Sequence, residues 1–277
     1  MQINTKAQII QECKKAQDEN LEVALTIRND QGKEDEPAVF PEDIEKYQET
    51  LRQIIRKCRP AIAAIEYKET SDLYYKSKAE LYKKQLDLAS KIVREEGAKV
   101  TNGGMECDLL VLLIYYDLLE QGKNSQAEAF KNRAFDQVKK HMFKSEAYQK
   151  TIKRLLKKAQ NYMRVYKYAN IDYVNLHWSI DDAQVFEQAV EFIRNKTDRD
   201  VVTTEIRQPT DPKKAKLLMK KAAQLKLPCV VWFFGIEGPD ISFIQKKDGD
   251  LSDLSKKFKR FIRFRFMDRP RLRNEKV

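Results

Sequence analysis

The sequence predicts an α+β protein. A helical bundle over residues 1–168 is followed by a small three-layer α/β domain over 169–266 and a basic tail over 267–277. Three observations carry that expectation. Residues 4–168 show apolar spacing of the helical kind almost throughout. After Asn170 short apolar runs alternate with capped amphipathic stretches. Beyond Phe266 no apolar periodicity remains. A hydrophobic content of 42 % places the chain among folded proteins, and only 8 Gly and 8 Pro favour long helices.

The first helix is expected over 5–28, with Ile10, Cys13, Leu21, Ala24 and Ile27 near one face, although EVALTIRN also suits a strand. The acidic loop QGKEDEPAVFPED comes next. Pro41 then starts a helix carrying Ile44, Tyr47, Leu51, Ile54 and Cys58, which Arg59-Pro60 ends or kinks. Residues 61–96 read as one long helix stopped by Gly97. LLVLLIYYDLL at 109–119 is a buried helix, too short and too interrupted by Asp117 to cross a bilayer. Ser125-x-x-Glu128 reads as a capping box, and Ser145 as the cap of a helix running to Tyr168. Short connections between such helices predict a bundle.

The second half reads as β-α-β-α-β-β-α. Its strands are IDYVNLHW, DVVTTEIRQ, PCVVWFFGI and ISFIQ. Its helices open at Ser179-x-x-Asp182, at Asp211-Pro212 and at LSDLSKKFKRFI. This order, with Leu227-Pro228 ahead of the third strand, resembles the thioredoxin fold. HWSIDDA places no cysteine in the first strand-to-helix turn, so that resemblance implies a scaffold without the redox chemistry. VVTTEIRQP, KKAKLLMKKAAQL and PCVVWFF together are similar to the restriction-endonuclease-like core. That resemblance implies Mg²⁺ held by Glu205 and a second carboxylate, Asp172, Asp181 or Asp182, with Arg207 where the family has lysine.

Other chemistries find less to stand on. Cys13, Cys58, Cys107 and Cys229 are scattered, with no CxxC pair, and read as reduced, buried thiols in an intracellular, cytoplasmic protein, the nucleus remaining open. His141 and His177 show no metal-ligand spacing, and phosphate-loop, GxSxG and HExxH motifs are absent. No cofactor and no resident metal are expected.

Charge is the strongest sequence signal. The net charge is +11, but residues 256–277 carry +8 and residues 139–167 carry +9, leaving the rest mildly acidic. Lys150, Lys153, Arg154, Lys157, Lys158, Arg164 and Lys167 share one helix with no acid between Lys150 and Asn170, and Tyr162, Tyr166 and Tyr168 are placed to stack on bases if exposed. Lys256, Lys257, Lys259, Arg260, Arg263, Arg265, Arg269, Arg271 and Arg273 form the second zone, 256–273. The expected function is therefore non-catalytic binding of RNA or DNA through phosphates, as a subunit of a larger nucleoprotein assembly. One alternative is a metal-dependent nuclease using Glu205. A second is a scaffold that binds an acidic protein partner.

Overall fold

The computed structural model describes residues 6–29, 36–135, 145–207, 209 and 211–233. Helices α1 (Lys6–Asp18), α2 (Ile44–Cys58), α3 (Ala79–Glu95), α4 (Cys107–Glu120), α5 (Asn124–Ala134), α6 (Glu146–Tyr168), α7 (Ala183–Thr197) and α8 (Pro212–Gln224) alternate with strands. These are β1 (Ala24–Ile27), β2 (Ile62–Ile65), β3 (Lys99–Asn102), β4 (Met105–Glu106), β5 (Tyr173–Trp178), β6 (Asp200–Arg207) and β7 (Val230–Phe233). The strand order is β1-β2-β3-β5-β6-β7, with β4 on β5.

The expected helical bundle is thereby corrected, and with it the three-layer second domain. Strands β1 to β4 lie inside residues 1–168, and β1–β2, β2–β3, β3–β5 and β6–β7 all pair in parallel. Strand order follows chain order with no reversal, which is the winding of β/α barrels and differs from both thioredoxin and restriction-endonuclease topologies. The physical reason is burial. Ile62, Ala63, Ala64 and Ile65 are all buried, so β2 shows no alternation and reads as another helical turn. The long helix expected over 61–96 is in fact β2, a loop and α3.

Local signals fare unevenly. Asp43 caps α2 by accepting from Lys46 N–H, and Arg59 closes that helix in the left-handed region at φ 42°. Gly97, at φ +80°, follows α3 as expected. Asp211 caps α8 through Lys213 N–H. The two capping boxes shift. Lys123 precedes α5 without a side-chain cap, so Ser125 lies inside the helix. Asp182, not Ser179, caps α7, accepting from Gln184 and Val185 N–H at 2.9 and 3.0 Å. ISFIQ, the last helix and the tail fall outside the described residues.

The chain forms two compact units. Among the described residues the first contains 6–29, 36–106, 157–175 and 193–201, and the second 107–135, 145–156, 176–192 and those from 202 to 233. In the first, α3 packs on β2 and β3 and α2 on α3, burying Leu51, Ile55 and Cys58 of α2, Tyr82, Leu86, Ala89 and Val93 of α3, and Val100. Tyr162 and Tyr166 of α6 are buried too, and Tyr162 packs 5.9 Å from the Tyr82 ring. In the second, Trp178 meets Phe186 edge-on at 5.2 Å, and Val202, Ile206, Leu218 and Ala222 are buried. Among the described residues no helix is long and apolar enough to cross a membrane.

Candidate functional site

In the first unit the chain leaves β2 directly into Glu66-Tyr67-Lys68-Glu69. Glu66 and Lys68 both adopt positive φ, 70° and 46°, a conformation that L-residues other than Asn or Asp rarely hold without compensation. The turn drives both glutamates inward, where they are 1 % and 0 % exposed. Ile65 is paired with Asn102, so the next residue on β3, Gly103, lies against Glu66. A Cβ at Gly103 would stand 2.5 Å from the Glu66 carbonyl and 2.9 Å from Glu69 Oε2. Only glycine allows this approach.

Each carboxyl group has its own set of donors. Asn29 N–H reaches both Glu66 oxygens at 3.2 Å, and Gln85 Nε2 donates to Oε1. Tyr75 O–H in turn holds Gln85 Oε1 at 2.9 Å. Glu69 Oε1 accepts from Tyr166 O–H at 2.5 Å and from Asn102 Nδ2 at 2.8 Å. Asn102 is itself clamped to the backbone of Asn175, accepting from its N–H at 2.6 Å and donating to its carbonyl at 3.1 Å. Glu69 Oε2 is buried with no hydrogen-bond partner among the described residues. Tyr82 ties the two strand ends together, donating to Ile65 O at 2.7 Å and accepting from Gly103 N–H at 3.0 Å.

Burial governs the electrostatics. Desolvation pushes the Glu66 carboxyl up to about 8, against the pull of its donors and of Arg28. It pushes Glu69 up to about 7, opposed by the bonds from Tyr166 and Asn102 and reinforced by the charge of Glu106. Tyr82 and Tyr166 are raised well above the ordinary phenol range for the same reason, so they remain donors. Both carboxyl groups therefore hold a proton at or near neutrality. Beside them Lys68 Nζ lies 5.0 Å from the Tyr67 ring and 5.7 Å from the Tyr74 ring.

In the second unit His177 is buried on β5, with Nε2 3.0 Å from Thr204 Oγ1. Its Nδ1 lies 3.5 Å from Glu205 Oε2, an ion-pair distance rather than a hydrogen bond. The Glu205 side chain is 23 % exposed. A register shift between Thr203 and Ile206 on β6 marks a bulge at these residues.

Of the two basic zones expected to bind nucleic acid, only the helical one lies within the described residues. Lys150, Lys153, Arg154, Lys157, Arg164 and Lys167 are exposed on the outer side of α6, while Lys158 is held by Asp72 at 2.6 Å. Of the tyrosines expected to stack on bases, Tyr162 and Tyr166 face inward, Tyr166 serving Glu69, while Tyr168 is 65 % exposed. The basic stripe is the solvated side of an amphipathic helix covering a parallel sheet, and the nucleic-acid-binding expectation is corrected accordingly. Lys256, Lys257, Lys259, Arg260, Arg263, Arg265, Arg269, Arg271, Arg273 and His141 lie outside the described residues.

The nuclease alternative is corrected as well. Asp172 accepts from Val100 N–H at 2.8 Å and pairs with Arg94 at 3.3 Å. Asp182 caps α7 and pairs with Arg133 at 2.5 Å, and Asp181 lies 4.0 Å from Lys214. Among the described residues no three His, Cys, Asp or Glu side chains are grouped to hold a metal ion. Glu66, Glu69, Asn102 and Gly103 were not expected as site residues from the sequence, and Tyr166 was expected to stack on bases rather than to bind a carboxyl group. Their signal was present as Glu-x-x-Glu directly after AIAAI and Asn-Gly-Gly directly after KVT, polar groups following short apolar runs.

No protein-family model matches the chain, and no curated protein matches it. Among solved structures it is similar to a GH128 (subgroup VI) exo-beta-1,3-glucanase from Aureobasidium namibiae. That similarity has a TM-score of 0.49 and 12 % identity, over 90 % of this chain and 91 % of the other.

Proposed function

We propose that the chain is a hydrolase that cleaves a glycosidic bond by protonating the leaving-group oxygen from Glu69. The observation that supports this reading is the state of that carboxyl group. It sits at the C-terminal end of a parallel strand, where β/α enzymes place their chemistry. Burial raises it to about 7, so in neutral solution about half of the molecules hold its proton. Tyr166 and Asn102 both donate to Oε1, which leaves the proton to Oε2, the oxygen without a hydrogen-bond partner among the described residues. Acetal hydrolysis rests on such a raised carboxylic acid delivering its proton to the departing oxygen.

Among the described residues Glu69 is bonded by phenol and amide groups and by no cation. Neutral donors of that kind suit a hydroxyl-rich, uncharged substrate better than a phosphate. Oε2 is covered, so substrate engagement requires the Glu66–Lys68 turn to shift. Two non-glycine residues held at positive φ give that turn strain to release.

The test is reducing-end release from neutral polysaccharides and from aryl glycosides with poor and good leaving groups. Glu69→Gln is expected to lower kcat/KM on poor leaving groups by about 100-fold or more, with a much smaller loss on activated nitrophenyl glycosides. A wild-type protein inert across the panel, or a variant equally active on every substrate, overturns the reading.

A further inference from the structure

We infer that Cys13 and Cys58 are a disulfide-forming pair that fastens α1 to α2. Both are buried, at 4 % and 0 % exposure, and neither is bonded in this structure. Their helices pack against each other, and burial first, then Cys13 as a neighbour, pushes the Cys58 thiol up to about 12. One turn further along α1, Gln17 Nε2 donates to the Cys58 carbonyl at 2.6 Å. The face of α1 that carries Cys13 and Gln17 therefore lies against the end of α2 that carries Cys58. The other cysteines are differently placed. Cys107 lies 3.1 Å from Ser179 Oγ, and Cys229 belongs, like Cys107, to the second unit.

The chemistry balances with a small-molecule disulfide as oxidant. One cysteine thiolate attacks the external disulfide, forming a mixed disulfide and releasing one small thiol. The second thiolate displaces the other. Two protons and two electrons leave the protein, one S–S bond forms within it and one breaks in the oxidant. Both sulfurs are covered, and burial disfavours the thiolate, so the exchange proceeds through an opened α1 or during folding. The product closes a loop of about 45 residues, long enough for the cross-link to restrain the unfolded chain appreciably.

The experiment uses the full chain in a buffer of oxidised and reduced glutathione. One sample is oxidised while native and another during refolding from urea. Remaining thiols are then alkylated under denaturing conditions and the peptides mapped. The expected result is two thiols alkylated instead of four in at least the refolded sample, with the peptides containing Cys13 and Cys58 linked. The urea midpoint should rise on oxidation in the wild type and not in Cys13→Ser. Four alkylated thiols in both samples, a link from Cys13 or Cys58 to Cys107 or Cys229, or glutathione retained on either residue as the end state overturns the inference.

Discussion

Gly103 shows how a single atom constrains the site. Its neighbour on the adjacent strand end is a backbone carbonyl, which cannot turn aside as the tip of a lysine would. Gly103→Ala must therefore push β2 and β3 apart at their ends or displace the Glu66–Lys68 turn. A loss of about 1–3 kcal/mol is expected, read as a lower urea midpoint at unchanged m-value. The comparison is Gly122→Ala, where nothing lies within 4 Å of the added carbon but φ is +72°. A deficit at Gly103 that exceeds that conformational cost identifies the close approach as its source. None of this was legible in Asn102-Gly103-Gly104 taken alone, which reads as a turn. The need for glycine comes from a partner 37 residues away in sequence.

At the scale of elements, α6 separates what periodicity conveys from what it hides. The stripe of Ile152, Ala159, Tyr162, Met163 and Tyr166 is buried as its spacing implies. The charges on the other side were over-read, because a helix covering a parallel sheet shows its polar side to water whatever the protein binds. Replacing Lys153 and Lys157 with Gln should change stability by less than about 0.5 kcal/mol per site. Any gain should be confined to low salt, where like charges repel over longer distances. Urea midpoints at two ionic strengths check this. Strands β2 and β3 erred in the opposite direction, whereas β1 falls within EVALTIRN, which also suited a strand. Each is four residues long, too short for alternation to be counted, and β2 is wholly buried, so the period that distinguishes strand from helix is missing. Strands β5 and β6, six and eight residues long, with Tyr, Val and Trp in the first and Val and Thr in the second, were recognisable.

For the whole molecule, the buried glutamates set the response to pH. Unfolded, each titrates near 4.5, while folded they are raised to about 8 and about 7. Below the unfolded value both states are protonated and burial of the acids carries no ionic penalty. As pH rises the unfolded chain releases its protons first, so stability falls until the folded values are passed. Unfolding midpoints should accordingly drop between about pH 5 and pH 8, and Glu66→Gln should flatten part of that slope. A midpoint that rises over the same range contradicts protonated carboxyl groups. The sequence placed all six acidic and amide members of this cluster on the page without indicating their company. Glu66, Glu69, Gln85, Asn29, Asn102 and Asn175 come from β2, α3 and the ends or flanks of β1, β3 and β5, and only the parallel winding assembles them.

The left-handed turn at Glu66 and Lys68 has a consequence for anyone who wishes to improve this protein. Glycine relieves both positions at little steric cost, so a search for thermal resilience will be drawn to them. Glycine at 66 deletes one of the two inward acids, and glycine at 68 removes the ammonium held beside Tyr67 and Tyr74. Robustness and chemistry thus compete for the same three-residue segment, and variants selected for heat tolerance alone will tend to erase the feature that makes the site unusual.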